Sequence, residues 1–389
     1  MTVAKPRHAA ARSTVIALLA IVGGAAIGAF GWRQTPEQWF ASYLVAWLYW
    51  AGVSLGALSL LLLHNLTSGK WGDAVRSILH AAAAVLPLMA LLVLPIVLQP
   101  ERLYHWADPY AVEHDLILQH KEPYLNVEFF QLRAAIYFSL WLGLLLLLAW
   151  QARSAAAPGA AAERPARRFG GQGLALHGLA VSFAAVDWMM SLEPHWFSTI
   201  YGVLVFASQG LAALALAIVV ASIPPPLKGG VREGIVETDA WHDLGKLLLG
   251  FVMLWAYLAF SQFLIIWYGN LPEEVVWYLK RIEGPWLWLA IALPLLHFAV
   301  PFALLLGREI KRTPTRLGAV AALIVVMHWF DTVWMIQPAI ERDAETLWLP
   351  WLDAGLTLAI GGVWWIAFAA LLGRARVRAG RVAEGARHE

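Results

Sequence analysis

Ten apolar runs, each roughly 18 to 25 residues long and carrying few or no charges, recur along the chain, and each is long enough to cross a hydrocarbon core about 30 Å thick. They fall at 13–31, 39–63, 75–98, 127–150, 173–190, 197–222, 243–267, 285–306, 316–337 and 348–372. The pattern predicts an all-α integral membrane protein with ten transmembrane helices, since strands of a barrel would alternate apolar and polar positions. The first run follows Lys5, Arg7 and Arg12. It is longer than the apolar core of a signal peptide and ends in no small-residue cleavage site, so it reads as a retained span.

Composition fits this reading. Of 389 residues 60% are hydrophobic and 14% charged, too apolar for a set of soluble domains. The absence of cysteine excludes disulfides, thiolate zinc sites and any iron–sulfur cluster held by this chain. Among 22 tryptophans, Trp32, Trp39, Trp71, Trp196, Trp241, Trp286, Trp348 and Trp351 lie at the ends of apolar runs, where they are expected to anchor the helices at the membrane surface. Segments 151–172 and 221–240, rich in Ala, Arg, Pro and Gly, read as flexible connections.

An even number of spans puts both termini on one side, and 21 of the 28 Lys and Arg residues fall on that side. They include the N-terminal group, Lys70, Arg76, the Arg153 to Arg168 loop, Lys246, the Arg308 to Arg316 loop and the tail. The other side carries Arg33, Arg102, Lys121, Arg133, Lys280, Arg281 and Arg342. The positive-inside rule then predicts cytoplasmic termini in a bacterial-type inner membrane.

Two motifs recur at a four-helix offset. Trp71-Gly-Asp73-Ala-Val-Arg76 precedes the third span, and Trp241-His-Asp243-Leu-Gly-Lys246 precedes the seventh; Asp187 stands seven residues before Pro194, and Asp331 seven before Pro338. The spacing predicts two tandem four-helix bundles in parallel repeat, with flanking helices. The division is 1–38 for the N-terminus and first helix, 39–190 and 191–340 for the two bundles, and 341–389 for the last helix and basic tail.

Ionisable groups at membrane depth are costly and mark functional sites. Here they are His80, His177, Asp187, Lys246, His297, His328, Asp331 and Asp353. Each histidine could equally be a helix contact satisfied by a neighbouring polar group. Lys246, close to its span's end, is expected to snorkel to the surface. The two aspartates are stronger candidates for proton relay, with His177 and His328 as inward steps and Glu193 and His195 as the outward exit. His80 with His177, or His297 with His328, could sit at the depth needed for bis-imidazole haem ligation, which nothing else supports. No span is read as broken by Gly or Pro in the paired manner of a transporter.

The stretch Asp187-Trp-Met-Met-Ser-Leu-Glu193-Pro194-His195-Trp196-Phe-Ser-Thr-Ile-Tyr201-Gly202 resembles the second large membrane subunit of alternative complex III, a quinol:cytochrome c oxidoreductase, within the NrfD and polysulfide-reductase type of membrane subunit. Trp241 to Lys246 and Ala259 to Glu274 are similar to the same subunit, and the likeness covers about residues 173–340. It implies two four-helix bundles with flanking helices, a homologous sister membrane subunit, an external iron–sulfur protein and cytochrome c subunits. Clusters and haems belong, on that likeness, to the partners. This chain would hold none, and its share would be proton conduction and scaffolding, with a quinone contact left open. A stand-alone secondary transporter and a structural membrane scaffold are the alternatives.

Overall fold

The structure, a computed structural model, describes residues 6–155, 163–223, 237–340 and 350–385. Ten helices are long and apolar enough to cross a membrane: α1 (Pro6–Gln34), α2 (Pro36–Thr67), α3 (Lys70–Leu98), α4 (Val127–Ala155), α5 (Glu163–Trp188), α6 (Tyr201–Ser222), α7 (Thr238–Gly269), α8 (Trp286–Leu306), α9 (Pro314–Ile336) and α10 (Pro350–Gly385). The protein is therefore a multi-pass, all-α membrane protein. Segments 99–126, 191–200 and 270–285 meet on one face of the bundle, here termed the loop face; the opposite one, which carries α1's first and α10's last residues, is the terminus face. Trp348 and Arg342 lie outside the described residues, as do 156–162 and 224–236 of the connections expected to be flexible. From Glu163 onward the first connection is helical, as the start of α5.

The centre of the bundle is α2, 94% of whose apolar window is buried, against 22% for α1 and for α8. Lipid tails are as apolar as Leu, so burial alone does not hold helices together here; close packing and hydrogen bonds do. Aromatic side chains of α2 supply the bonds. Tyr43 donates to the Leu92 carbonyl at 2.7 Å and Trp47 to Met89 at 2.9 Å, both on α3; Tyr49 donates to Val325 on α9 at 3.0 Å and Trp50 to Thr357 on α10 at 2.9 Å. Small residues supply the packing. A Cβ on Gly56 would run into the backbone of Gln209 on α6, so α2 and α6 cross nearly backbone to backbone.

Two spans depart from the uninterrupted helices expected. In α3 the ladder breaks at Ala84–Val85 and again at Val93, because Pro87 and Pro95 lack an N–H and clash with the preceding turn. At the second break Ile96 bonds to Val93 rather than to Leu92. The carbonyl of Leu92 is the one that Tyr43 caps. In α8, Leu293–Ala299 winds as a π-helix around Pro294, just ahead of Pro301. The tryptophans also depart from expectation. Trp32 and Trp351 are exposed, but Trp196, Trp241 and Trp286 are buried within the protein, as are Trp47, Trp141, Trp188, Trp277 and Trp364.

Helix α1 packs along α10 through glycines on both. A Cβ on Gly24 would collide with the Gly355 carbonyl and one on Gly28 with Leu356, whereas one on Gly23 would meet nothing within 4 Å. Gly24→Ala should therefore loosen α1 from α10 at a cost of about 1–3 kcal/mol, read as a lower melting temperature in detergent, while Gly23→Ala leaves it unchanged. Equal behaviour of the two variants would disprove this account of the α1–α10 contact.

Candidate functional site

Each of the aspartates picked out in the sequence is buried and hydrogen-bonded by side chains of other helices. Asp187, on the last turn of α5, is fully buried. Its Oδ2 accepts from Arg133 Nε at 2.8 Å and from the Tyr137 hydroxyl at 2.7 Å, both on α4. Arg133 is itself 5% exposed; it donates to the Tyr124 carbonyl at 2.8 Å and lies over the rings of Tyr124 and Phe129, 3.9 and 4.3 Å from their centroids. Burial, and then the Asp187 charge, pushes the Tyr124 phenol up to about 12. The pair is buried on both sides and held by two short bonds to one oxygen, while Arg133 Nη2 and Asp187 Oδ1 have no partner among the described residues. Arg133, counted in the sequence among the charges of the outer side, stands six residues inside α4 and is buried.

Asp331 has different neighbours. Its Oδ2 accepts from Ser208 Oγ on α6 at 3.2 Å and from Trp255 Nε1 on α7 at 3.3 Å, and among the described residues no cation reaches it. Ser208 Oγ also lies 3.1 Å from His328 Nδ1. If the serine proton goes to Asp331, His328 must present Nδ1–H to the serine oxygen, so the three form a directional chain. His328 and Asp331, one turn apart on α9, thus share a site as their spacing indicated. The edge of Trp255 meets His297, whose ring is 4.5 Å away at 89°. His297 is fully buried in the π-helical turn, and among the described residues neither of its ring nitrogens has a hydrogen-bond partner.

A cavity of about 30 Å³ opens beside Asp331, lined by Ser208, Gln209, His328, Thr332 and Met335 together with Leu48 and Met189. That volume has room for an ordered water. A smaller one, about 10 Å³, shares Leu48, Met189, Val205 and Gln209 with it and reaches Leu55. The Leu55 carbonyl accepts from His177 Nε2 at 3.2 Å, and Ser59 Oγ lies 2.8 Å from the same nitrogen. His177 therefore faces α2. Its hydrogen bonds run to Ser59 and Leu55, and none of them joins it to Asp187 or to the Asp331 site.

The remaining candidates are dispersed. Glu193 is held by Arg281 at 2.7 Å and Lys280 at 3.6 Å. His195, half exposed, lies 2.6 Å from Asp115 Oδ2; burial raises that carboxyl, but His195 and the amides of Ile117 and Leu118 outweigh it and hold Asp115 below its usual range. Asp353 accepts from Gln337 at 2.6 Å near the start of α10. Lys246 is exposed and pairs with Asp243 at 3.3 Å on the terminus face. His80 is half-buried on α3. Of the two histidine pairs considered for haem ligation, His177 is hydrogen-bonded to Ser59 and His328 to Ser208. Among the described residues, no group of three or more His, Asp or Glu could hold a metal ion.

A groove on the loop face adjoins these sites. Two spaces of about 370 and 240 Å³ share Val186, Met190 and Phe197, and the larger is rimmed by His120, Lys121 and Tyr124. Lys121 donates to the Pro194 carbonyl at 2.6 Å, and burial lowers its ammonium below the usual range.

No model of a known protein family matches the chain, and no curated protein matches it either.

The Arg133–Asp187 pair generates a direct test. Arg133→Leu leaves a buried carboxylate without its partner and should lower stability by about 3–5 kcal/mol, whereas Arg133→Leu with Asp187→Leu should recover most of that loss. Thermal unfolding in detergent decides between them. Equal destabilisation by the single and double variants would show that the pairing is incidental.

Proposed function

We propose that this chain is a proton-handling membrane subunit of a quinol-linked respiratory oxidoreductase of the alternative complex III kind, with Asp331, Ser208 and His328 as the proton-carrying site. The observation that carries the reading is Asp331 itself, a buried carboxyl with two neutral donors and, among the described residues, no ion-pair partner, beside a cavity with room for water. A carboxyl placed beside a held water can take up and return a proton. Asp187 falls outside this role because Arg133 holds its charge in place.

Two tandem four-helix bundles are the arrangement we assign. Its support is that α2, α3, α4 and α5 pack in a ring, as do α6, α7, α8 and α9, and that α2 and α6 join the rings. Within the assembly the expected neighbours are a sister membrane subunit, an iron–sulfur protein and cytochrome c subunits, which would carry the clusters and haems. Quinone contact by this chain is assigned to the loop-face groove, the largest of the spaces described, whose apolar floor suits a prenyl tail. The Pro-broken α3 and α8 favour a second reading, a stand-alone transporter. The breaks stand at unlike positions in the two rings, which is not the paired pattern of such proteins. Mild-detergent purification separates the two, since a subunit co-purifies with redox partners and a transporter does not.

The loop face is assigned to the outside, with both termini cytoplasmic in a bacterial-type inner membrane. In intact cells Tyr110→Cys should react with a membrane-impermeant maleimide and Glu309→Cys should not; the reverse pattern overturns the orientation. For the proton site, Asp331→Asn in the whole complex should preserve assembly and reduce proton release into vesicles by tenfold or more. Asp187→Asn should instead weaken assembly by stranding Arg133. Proton release at the parent rate by an assembled Asp331→Asn complex would sink the proposed role.

A further inference from the structure

Leu204 and Met335 line the Asp331 cavity on the side nearer the loop face, and next to them pack the surface helix Pro272–Ile282, the 191–200 segment and the first turn of α6, joined through the Arg281–Met335 bond and the rings of Trp196, Tyr201 and Trp277. This helix is amphipathic and buries Trp277, Tyr278 and Arg281. Arg281 is 1% exposed. Its Nη2 donates to Glu193 Oε2 at 2.7 Å and to the Met335 carbonyl at 2.8 Å, and its Nη1 to the Trp277 carbonyl at 3.0 Å. The guanidinium lies 3.7 Å from the Trp277 ring centroid. Met335 is the residue one turn beyond Asp331 on α9, and its side chain lines the Asp331 cavity. Arg281 therefore grips the end of the cavity wall.

The layer around it is aromatic. Trp196 stacks on Trp277 with centroids 4.9 Å apart and donates to the Glu274 carbonyl at 3.2 Å; Tyr201 meets both indoles edge-on, and Trp334 donates to the Arg281 carbonyl at 3.1 Å. An aromatic seal alone would keep water out. A buried ion pair adds a cost in desolvation that a well-packed apolar residue would avoid. Arg281 also leaves its Nε without an acceptor, so the pair is incompletely satisfied. Glu193 has an alternative partner already in place, Lys280, 3.6 Å from its other oxygen and 42% exposed. These features suit a contact that separates and re-forms.

We propose that the Arg281–Glu193 pair is a latch that closes the loop-face end of the Asp331 cavity, released when Glu193 passes from Arg281 to Lys280. Arg281 is thus a positioning residue: it holds the surface helix and the Met335 turn over the cavity and places a fixed positive charge across the way to Asp331. The proposal deepens the proton-handling reading and rests on it for its purpose, but the closure itself is testable without any proton measurement.

The chain has no cysteine, so a single introduced thiol reports without background. Leu204, on the first turns of α6, lines the cavity below the latch and is 6% exposed; Leu211, two turns deeper, is fully buried; Leu116 is 80% exposed on the loop face. Leu204→Cys, Leu211→Cys and Leu116→Cys are each placed in the full chain with the parent latch, with Glu193→Gln and with Arg281→Gln, and treated with a membrane-impermeant maleimide from the loop-face side. With the parent latch only Leu116→Cys should react readily. With either latch variant Leu204→Cys should react at least tenfold faster while Leu211→Cys stays protected. Glu193→Gln keeps the side chain's shape and guards against a variant that merely fails to fold. If Leu204→Cys gains nothing in Glu193→Gln, or if Leu211→Cys gains equally, the pair is a structural pin and the proposal is overturned. A selective gain at Leu204→Cys together with unchanged proton release by Asp331→Asn would leave the latch standing and remove only its proposed purpose.

Discussion

Within a hydrocarbon layer no water is at hand to bond a stray N–H, carbonyl or hydroxyl, so polar groups there must find partners inside the protein. Much of this architecture follows from that constraint. It explains why the central helix α2 is rich in Tyr and Trp, whose polar tips reach the carbonyls of α3, α9 and α10. It also explains how α3 tolerates Pro95: the carbonyl released by the break is met by Tyr43, from the helix against which α3 packs. Glycines at Gly52 and Gly56 then let α6 approach α2 closely enough for Gln209 to pack against α2, where it lines both small cavities.

The same constraint separates two aspartates that stand alike in the sequence. Asp187 meets it with an arginine and a tyrosine, and the result is a fixed charge pair. Asp331 meets it with a serine and an indole, neutral groups that leave its charge unbalanced. Two matching positions in the sequence can therefore sit in unlike surroundings, because the partner residues that decide them come from other helices.

The spans, the terminal helices and the pairing of His328 with Asp331 were legible because long apolar runs and a one-turn spacing leave a direct mark on the sequence. Arg133 and Arg281 were not, since each lies near the end of an apolar run and reads as a surface charge. The signals were present: Arg133 stands six residues inside its run, and Arg281 follows Trp277 by one turn of a helix. Ser208, Gln209 and Trp255 carry no charge, so nothing in a hydropathy pattern distinguishes them. The breaks in α3 and α8 were visible as prolines, but local backbone repair by Tyr43 or a π-turn depends on which helix lies alongside.

The cavity beside Asp331 has a consequence for permeation. At about 30 Å³, with a neighbour of about 10 Å³, it is too small for a hydrated cation or an organic solute and large enough for a single water molecule. On the proposed proton-handling role, selectivity would need no coordinating filter. Size would exclude hydrated ions and organic solutes, and charge would cross as a rearrangement of bonds along a held water rather than as a travelling body.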